Sequence, residues 1–213
     1  MDKIDKIIFA GGGGHALSLL ESLPSDDCVE GYLAPSPTPS MPVAYLGDDV
    51  TAPELIRSRF LFHIAFVYAG LPLMNKRRSL ISLYENYGAE FASVIAKSAI
   101  VTRHSKIGKG VAILNGAIVN RASIGDFCII NSGAIVEHDC QLDSNTFIGP
   151  GCVIGGGTVI GKNCFIGLGS KIKNGITIAD DVTVGMGAVV TRNLLKPGIY
   201  HGSPLRCFNL SNK

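Results

Sequence analysis

Two short stretches of the sequence contain residues that could do chemistry. The stretch NSGAIVEHDC, residues 131–140, places His138 between the acids Glu137 and Asp139. Imidazole titrates near neutral pH, so it can take a proton from a nucleophile, and an adjacent carboxylate can fix its tautomer. An exposed histidine beside acids is also often an ordinary surface residue. Residue types alone therefore leave both a catalytic role and a surface role open for His138.

The second stretch, KIIFAGGGGHALSLLESL at residues 6–23, places four glycines and His15 between an apolar run and a helical pattern. Gly11 to Ala16 satisfies the G-x-G-x-x-A pattern of a dinucleotide loop, in which backbone amides approach an anion. The second strand, however, continues as LAP at residues 33–35 without the acid that binds a ribose, and the unit is about half the usual size. The loop is predicted to hold the phosphate of a single nucleotide or nucleotide sugar, and a tight turn without a ligand is the alternative.

A period of six residues organises the second half of the chain. A helix would scatter side chains of this period around its axis, and a simple strand would alternate every two residues. A coil of three short strands, each turning one aliphatic residue inward, uses it, so the pattern predicts a hexapeptide β-helix. The aliphatic residues are Ile124, Ile130, Val136, Leu142, Ile148, Ile154, Ile160, Ile166, Ile172, Ile178, Val184 and Val190.

The same register predicts the surroundings of His138. Val136 faces inward, so His138 lies outward near a corner, and Gly156 lies one coil further along the same wall. A glycine there leaves a groove beside the imidazole. Upstream, the register extends to Ile95 with one five-residue step between Val119 and Ile124, which predicts a local irregularity.

Four cysteines follow one another at intervals of twelve residues: Cys128, Cys140, Cys152 and Cys164. Twelve residues is two thirds of a coil, so neighbouring cysteines lie on different faces. Two on the same face lie about 9.5 Å apart, beyond disulfide reach. We expect reduced, buried packing thiols, as is usual in the cytosol.

Residues 1–94 lack the six-residue period. Strand patterns span residues 4–10, 29–33, 60–69 and 90–95, and helical patterns span 15–22, 52–59 and 74–87. This alternation predicts a small Rossmann-like α/β domain, with a proline-rich loop at residues 33–43. We therefore divide the chain into an α/β domain at 1–94, a β-helix at 95–193 and a C-terminal tail at 194–213.

Composition and charge narrow the function classes. The 213 residues are 46% hydrophobic with a net charge of +2, which is typical of a soluble globular protein. Lys76, Arg77 and Arg78 form a basic group that we interpret as a solvated helix face, not a nucleic-acid footprint. No apolar run approaches the roughly 18 residues of a membrane span, and residues 1–6 do not resemble a signal peptide, so a cytoplasmic location is expected.

The G-G-H-A loop, the NSGAIVEHDC stretch in a β-helix and the GSP at 202–204 resemble the PglD/NeuD family of bacterial sugar acyltransferases over nearly the whole chain. The resemblance implies a Rossmann-like nucleotide-sugar-binding domain followed by a left-handed parallel β-helix, in a homotrimer with acetyl-CoA between adjacent β-helices. The implied acceptor is the amino group of a UDP- or dTDP-linked amino-deoxy sugar in bacterial surface glycan biosynthesis. In the sialic-acid branch it is a sugar hydroxyl.

The resemblance also assigns residues. His138 matches the general base and Asp139 the acid that supports it, with direct transfer, no acyl-enzyme and no metal. Gly156 is the candidate N–H donor to the thioester oxyanion. Acetyl-CoA contacts are expected at Gly155, Gly156, Gly185, Met186, Pro204 and Arg206. Contacts to the sugar nucleotide are expected at Gly11, Gly13, Gly14, His15, Gly70, Asn75 and Arg77.

Three positions depart from the family pattern. Phe147 stands nine residues after His138, where many relatives carry a second histidine. Ala34-Pro35 replaces an acidic pair that contacts the nucleotide in relatives. The segment YAGLPLMNKRRSL, residues 68–80, replaces a shorter G-[DN]-N-x-x-R turn, and Asn75 with either Arg77 or Arg78 is the expected substitute. These departures leave the sugar and the nucleotide base undefined.

Other classes are weighed against acyl transfer to a sugar amine. A β-helix carbonic anhydrase needs three imidazoles on zinc, but only His104 and His138 lie in the repeats, at different hexad positions. A dinucleotide oxidoreductase lacks its ribose acid and its second half-domain. Transfer of a larger acyl group, and a scaffold trimer that binds a nucleotide sugar without chemistry, stay open.

Overall fold

We describe the protein from a computed structural model, which defines residues 6–67, 71–202 and 206–208. The α/β domain contains a four-stranded parallel sheet of order β2-β1-β3-β4. Its elements are β1 Ile7–Ala10, α1 Gly14–Leu20, a 3-10 turn Asp26–Cys28, β2 Val29–Leu33, α2 Ala52–Arg57, β3 Leu61–Ile64, α3 Leu71–Asn86 and β4 Glu90–Phe91.

The central strand β1 is buried along its length because both faces of the sheet are covered. Ile7 and Phe9 pack towards α1 and the β-helix, whereas Ile8 and Ala10 pack towards α2 and α3. Two segments differ from the sequence prediction. β3 ends at Ile64 instead of continuing to residue 69, and the predicted strand at 90–95 is divided into β4 and a separate strand of the β-helix.

The β-helix consists of short strands on three faces, which we name by their surroundings. The domain-facing sheet contains β5 Val94–Ile95, β8 Ala112–Ile113, β11 Ile129–Ile130, β14 Phe147–Ile148, β17 Phe165–Ile166, β20 Val182–Val184, β22 Gly198–His201 and β23 Arg206–Phe208. The aliphatic face contains β6 Ile100–Val101, β9 Ile118–Val119, β12 Ile135–Val136, β15 Val153–Ile154, β18 Lys171–Ile172 and β21 Val189–Val190. The polar face contains β7 Lys106–Ile107, β10 Ser123–Ile124, β13 Gln141–Leu142, β16 Val159–Ile160 and β19 Thr177–Ile178.

The six-residue period is confirmed. Its aliphatic residues form the central core, where Val136 and Ile154 are fully buried. At the corners, a residue with positive φ recurs at the same period: Gly110, Gly116, Arg121, Phe127, Gly133, Asp139, Asn145, Gly151, Gly157, Asn163, Gly169, Gly175, Asp181 and Gly187. One interval, from Gly116 to Arg121, is five residues, which confirms the predicted irregularity.

The four regularly spaced cysteines are free and buried, as predicted. Their thiols donate to backbone carbonyls: Cys140 Sγ lies 3.2 Å from the Gly155 oxygen, and Cys152 Sγ lies 3.0 Å from the Gly167 oxygen. Burial raises the pKa of Cys128 and of Cys164 to about 12, so these groups stay protonated and unreactive.

The α/β domain covers the domain-facing sheet. Leu19 of α1 and Met74 of α3 share a core with outward residues of this sheet, among them Ile129. The rings of Phe147 and Phe165 stack there with 4.7 Å between centroids. The side chain at position 147 thus packs between the domains of this chain. We propose β5, the first strand paired into the β-helix, as the point where the two domains join.

Within the ranges that the structure defines, no helix is both long enough and apolar enough to cross a membrane.

Candidate active site

His138 lies at the corner between the aliphatic and the polar face, which we call the His138 corner. Its Nδ1 lies 2.9 Å from Asp139 Oδ2, and both side chains are more than half exposed. The hydrogen bond from His138 holds the pKa of the Asp139 carboxyl below its usual range, with a smaller contribution from Arg121. Asp139 therefore stays ionised at neutral pH. It fixes Nδ1 as the protonated nitrogen and leaves Nε2 free to accept a proton.

Glu137, the other acid beside His138, is turned away from this pair. Its Oε2 accepts a hydrogen bond of 3.1 Å from Asn120 Nδ2 in the coil below. Sequence proximity alone could not decide between the two acids. Asp139 itself occupies the positive-φ position of this corner, with φ of 61°.

The imidazole of His138 lies against Gly156 in the coil above. A Cβ added at Gly156 would be 2.8 Å from both Cε1 and Nε2 of the ring. A glycine is therefore required for the ring to occupy this place. Within the described residues the Gly156 N–H donates to no acceptor, whereas its carbonyl accepts from the Gly175 N–H at 3.0 Å.

The coil below contributes no residue opposite His138. Strand pairing aligns Val119 with Val136 and Ser123 with Gln141, so three residues in the lower corner face four in the His138 corner. The Asp139 N–H donates to the Arg121 carbonyl at 3.1 Å. The five-residue step thus removes the residue that would lie under His138. The imidazole has a glycine on one side and a missing residue on the other.

The glycine loop lines a cavity of about 340 Å³ at the carboxyl ends of β1, β2 and β3. Gly11 and Gly12 are required sterically, because a Cβ would lie 2.7 Å from the Ala65 oxygen and 2.5 Å from the Tyr32 ring respectively. Gly13 and Gly14 face open space instead. The opposite wall is the proline-rich loop, whose Thr38 N–H donates to the Tyr32 hydroxyl at 2.7 Å.

Two histidines beside this cavity are neutral. Burial lowers the pKa of His15 to about 3, with further lowering by His63 and Arg77. Burial likewise lowers the pKa of His63 to about 4. His63 Nδ1 lies 2.9 Å from the Ala92 carbonyl and so carries the proton. The Nε2 atoms of both rings are buried without a hydrogen-bond partner among the described residues. His15 is also among the residues that line the cavity.

Comparison with known proteins connects this arrangement to a family. Residues 121–156 match the family model described as bacterial transferase hexapeptide (six repeats), and residues 157–192 match the hexapeptide repeat of succinyl-transferase. The perosamine N-acetyltransferase PerB from Caulobacter crescentus, solved with CoA and GDP-perosamine, is 32% identical, with a TM-score of 0.87 over 97% of this chain and 99% of that one. The chain belongs to the PglD/NeuD family of sugar acyltransferases.

A second solved structure supports the same family. The acetyltransferase domain of PglB from Neisseria gonorrhoeae is 25% identical, with a TM-score of 0.85 over 96% of this chain and 100% of that domain. WeeI from Acinetobacter baumannii, 20% identical with a TM-score of 0.71, shares the fold. The predictions of an α/β domain followed by a left-handed β-helix and of an acyl-CoA-dependent acyltransferase are confirmed.

The structure divides the expected CoA contacts of this family member between two corners. Gly155 and Gly156 lie at the His138 corner, but Gly185 and Met186 lie at the corner between the domain-facing sheet and the aliphatic face. Met186 is 79% exposed. Gly155 and Gly185 also have steric reasons to be glycine, since a Cβ would lie 2.5 Å from Asn174 Oδ1 and 2.7 Å from His201 Cβ respectively. Pro204 lies outside the described residues, as does the side chain of Arg206 in β23.

The expected sugar-nucleotide contacts of the family are also divided. Gly11, Gly13, Gly14 and His15 line the cavity together. Asn75 instead lies on the exposed outer surface of α3, beside Lys76 and Ser79. Gly70 lies outside the described residues.

The interpretation of Arg77 as part of a solvated basic face is wrong. Its side chain is only 1% exposed, because it packs inward against the β-helix, whereas Lys76 and Arg78 are exposed. Sequence reasoning also missed Arg121, which lies 3.9 Å from Asp139. The five-residue step beside it was the available signal.

Within the described ranges, no group of three His, Cys, Asp or Glu side chains is arranged to hold a metal ion.

Proposed function

We propose that the protein transfers the acetyl group of acetyl-CoA to the amino group of a nucleotide-linked amino-deoxy sugar. The proposal rests on the His138 imidazole, which is oriented by Asp139 at 2.9 Å and seated on Gly156. It is supported by PerB, which binds CoA and GDP-perosamine. The glycine-loop cavity is the proposed site for the nucleotide and its phosphates.

In the proposed reaction, the acceptor amine attacks the thioester carbonyl while His138 Nε2 takes its proton. Asp139 stabilises the imidazolium, and the Gly156 N–H donates to the oxyanion of the tetrahedral intermediate. Collapse of the intermediate breaks the C–S bond. The proton on His138 then passes to the departing CoA sulfur, so that no acyl-enzyme is formed and the buried cysteines take no part.

We further propose that the active site is assembled from two copies of the chain in a homotrimer. The α/β domain lies on the domain-facing sheet, and the His138 corner joins the other two faces of the β-helix. An acceptor held by the glycine loop is thus separated from His138 of the same chain by the body of the β-helix. A neighbouring chain can supply its His138 to that acceptor.

The aliphatic face is the proposed contact between copies. Its outward residues are Ile100, Ile118, Ile135, Val153, Lys171 and Val189, of which all but the lysine are apolar. Ile100 is 56% exposed and Val189 is 49% exposed. This face lies between the His138 corner and the corner of Gly185 and Met186. In a cyclic trimer, a second copy packed on this face would place Gly155 and Gly156 of one chain beside Gly185 and Met186 of its neighbour. The two groups of expected CoA contacts would then line one groove.

The decisive experiment follows CoA thiol release from acetyl-CoA with a colorimetric thiol reagent. The acceptor panel contains UDP-, dTDP- and GDP-linked 3- or 4-amino sugars, with free sialic acid and simple amines. We expect release with one nucleotide amino sugar, and a loss of at least about 100-fold in His138→Ala. Wild-type turnover in His138→Ala would remove this residue from the mechanism. Release with sialic acid alone would replace the amine by a hydroxyl acceptor.

A further inference from the structure

Arg77 is a buried cation held between the two domains. Its Nε donates to the Phe66 carbonyl at 2.8 Å, and its Nη1 donates to the Phe127 carbonyl at 2.9 Å and to Asn145 Oδ1. Phe66 follows β3 in the α/β domain, whereas Phe127 and Asn145 lie at a corner of the β-helix. One guanidinium therefore binds backbone and side-chain oxygens of both domains.

The β-helix side of this contact is an ordered ladder of side-chain amides. Asn145 Nδ2 donates to Asn163 Oδ1 at 2.9 Å, and Asn163 Nδ2 donates to Asp181 Oδ1 at 3.2 Å. Each amide turns its oxygen towards the cation and its N–H towards the carboxylate. The amide dipoles of Asn145 and Asn163 thus point the same way between Arg77 and Asp181. This alignment stabilises the buried guanidinium, which has no carboxylate of the described residues in direct contact.

The ladder has a backbone cause. Phe127, Asn145, Asn163 and Asp181 occupy the positive-φ position of successive coils, with φ between 54° and 58°. Asn and Asp tolerate this conformation better than most residues. Stacking at the coil repeat brings their side chains within hydrogen-bonding distance of one another, so the ladder presents a fixed acceptor to Arg77.

On the other side, Arg77 holds a wall of the glycine-loop cavity. Phe66 and its neighbours Ala65 and Val67 line this cavity. Gly11 lies so close to Ala65 that an added Cβ would be 2.7 Å from its oxygen. If residues 65–67 moved, their contact with the glycine loop, the proposed phosphate site, would change.

From these contacts we infer that Arg77 is a positioning residue: it fixes the segment after β3 to the β-helix and so keeps the sugar-nucleotide cavity formed before substrate arrives. The functional half of this inference rests on the proposed function, because the cavity's ligand is proposed there. This positioning role differs from the direct substrate contact that the sequence predicts for Arg77, which stays a prediction. Pre-formed binding walls increase affinity because less ordering is needed on binding.

The test compares Arg77→Met with the matched control Lys76→Met, which removes an exposed cation from the preceding position of α3. In ligand-free protein, hydrogen exchange of a peptide covering residues 61–67 is expected to become about tenfold faster in Arg77→Met, the effect of losing a charge-assisted hydrogen bond. It stays at the wild-type rate in Lys76→Met. Exchange in peptides from 147–160 of the β-helix is unchanged in both variants.

Binding measurements then test the functional half. We expect UDP, GDP or dTDP, whichever binds the wild type, to bind Arg77→Met about tenfold more weakly, with acetyl-CoA affinity unchanged. If Arg77→Met does not fold, Asn145→Gly keeps the positive φ, removes the acceptor amide, and is expected to loosen 61–67 in the same direction.

Wild-type exchange at 61–67 in Arg77→Met, or in Asn145→Gly where it takes the place of that variant, would overturn the inference. Equal loss of acetyl-CoA and nucleotide affinity would overturn it as well. Absence of nucleotide binding in the wild type would overturn the proposed acceptor class and the functional half of the inference. The exchange result would still decide whether Arg77 holds this segment.

Discussion

Replacing Gly156 by alanine is expected to separate catalysis from stability. The added Cβ would lie 2.8 Å from Cε1 and Nε2 of His138, whereas carbon contacts are normally about 3.5–4.0 Å. The ring must therefore move by about 0.7–1.2 Å. Because the His138 side chain is 58% exposed, it can swing outwards without disturbing the core. Gly156 itself has no positive φ, so alanine fits its backbone.

The expected cost lies in the reaction. A displacement of about 1 Å in a reacting group costs on the order of 100-fold in rate, or about 2.7 kcal/mol of transition-state stabilisation. The melting temperature is expected to change by less than about 2 °C, as for a surface substitution of about 0.5 kcal/mol. Initial rates of CoA release at saturating substrates and a thermal scan of the same preparation measure both quantities.

A double-mutant cycle provides the control. If the methyl group acts only by moving the ring, Gly156→Ala has no further effect on the rate in a His138→Ala background. A second 100-fold loss there would mean that Gly156 acts independently of the ring, for example through its N–H. A wild-type rate in Gly156→Ala would refute the catalytic placement of His138.

Three further results are expected. Asp139→Asn should lower kcat by about tenfold or more, because the imidazolium loses its carboxylate, and should leave acetyl-CoA affinity unchanged by calorimetry. The free energy of unfolding should fall as pH drops from 6.5 to 4. The native pKa values of His15 and His63 are about 3 and 4, whereas histidines of the unfolded chain bind protons near pH 6.5. At pH 5 each histidine therefore lowers the free energy of unfolding by on the order of 2 kcal/mol. Urea unfolding at pH 7 and 5 measures this, and an unchanged midpoint would contradict the buried neutral histidines. Val153→Asp on the aliphatic face should yield monomers in light scattering and lose turnover. The control Val50→Asp, at an 80% exposed valine of the α/β domain, should stay trimeric and active. Trimers in both variants would place the interface elsewhere.

The sequence alone predicts the β-helix well because its determinants are local. Each coil repeats the same inward aliphatic residue and the same corner, so the period could be read without knowing any long-range contact. The position of Gly156 beside His138 followed directly from this period. The five-residue step could be located too, although its consequence for His138 required the register of the neighbouring strands.

The residue that was misplaced depends on contacts between distant parts of the chain. Arg77 lies in a run of cations, and nothing in that run indicates that one of them meets Asn145 of the β-helix. Asn75 follows a segment whose length differs from the family pattern, and its expected contact with the sugar nucleotide stays a prediction. The helical pattern predicted α3, but the side of α3 that packs against the β-helix depends on the partner surface.

The shortened corner beneath His138 affects how this site can change. Point mutation alters side chains, but the space under the imidazole results from the absence of a whole residue between Val119 and Ser123. Substitutions in the lower corner can change its chemistry while the backbone step persists. Restoring the regular coil would require insertion of a codon, a rarer event than a base change. The number of residues in the lower corner therefore determines the space on this side of the ring. A substitution can fill the opposite side, at Gly156, but it cannot add the missing residue.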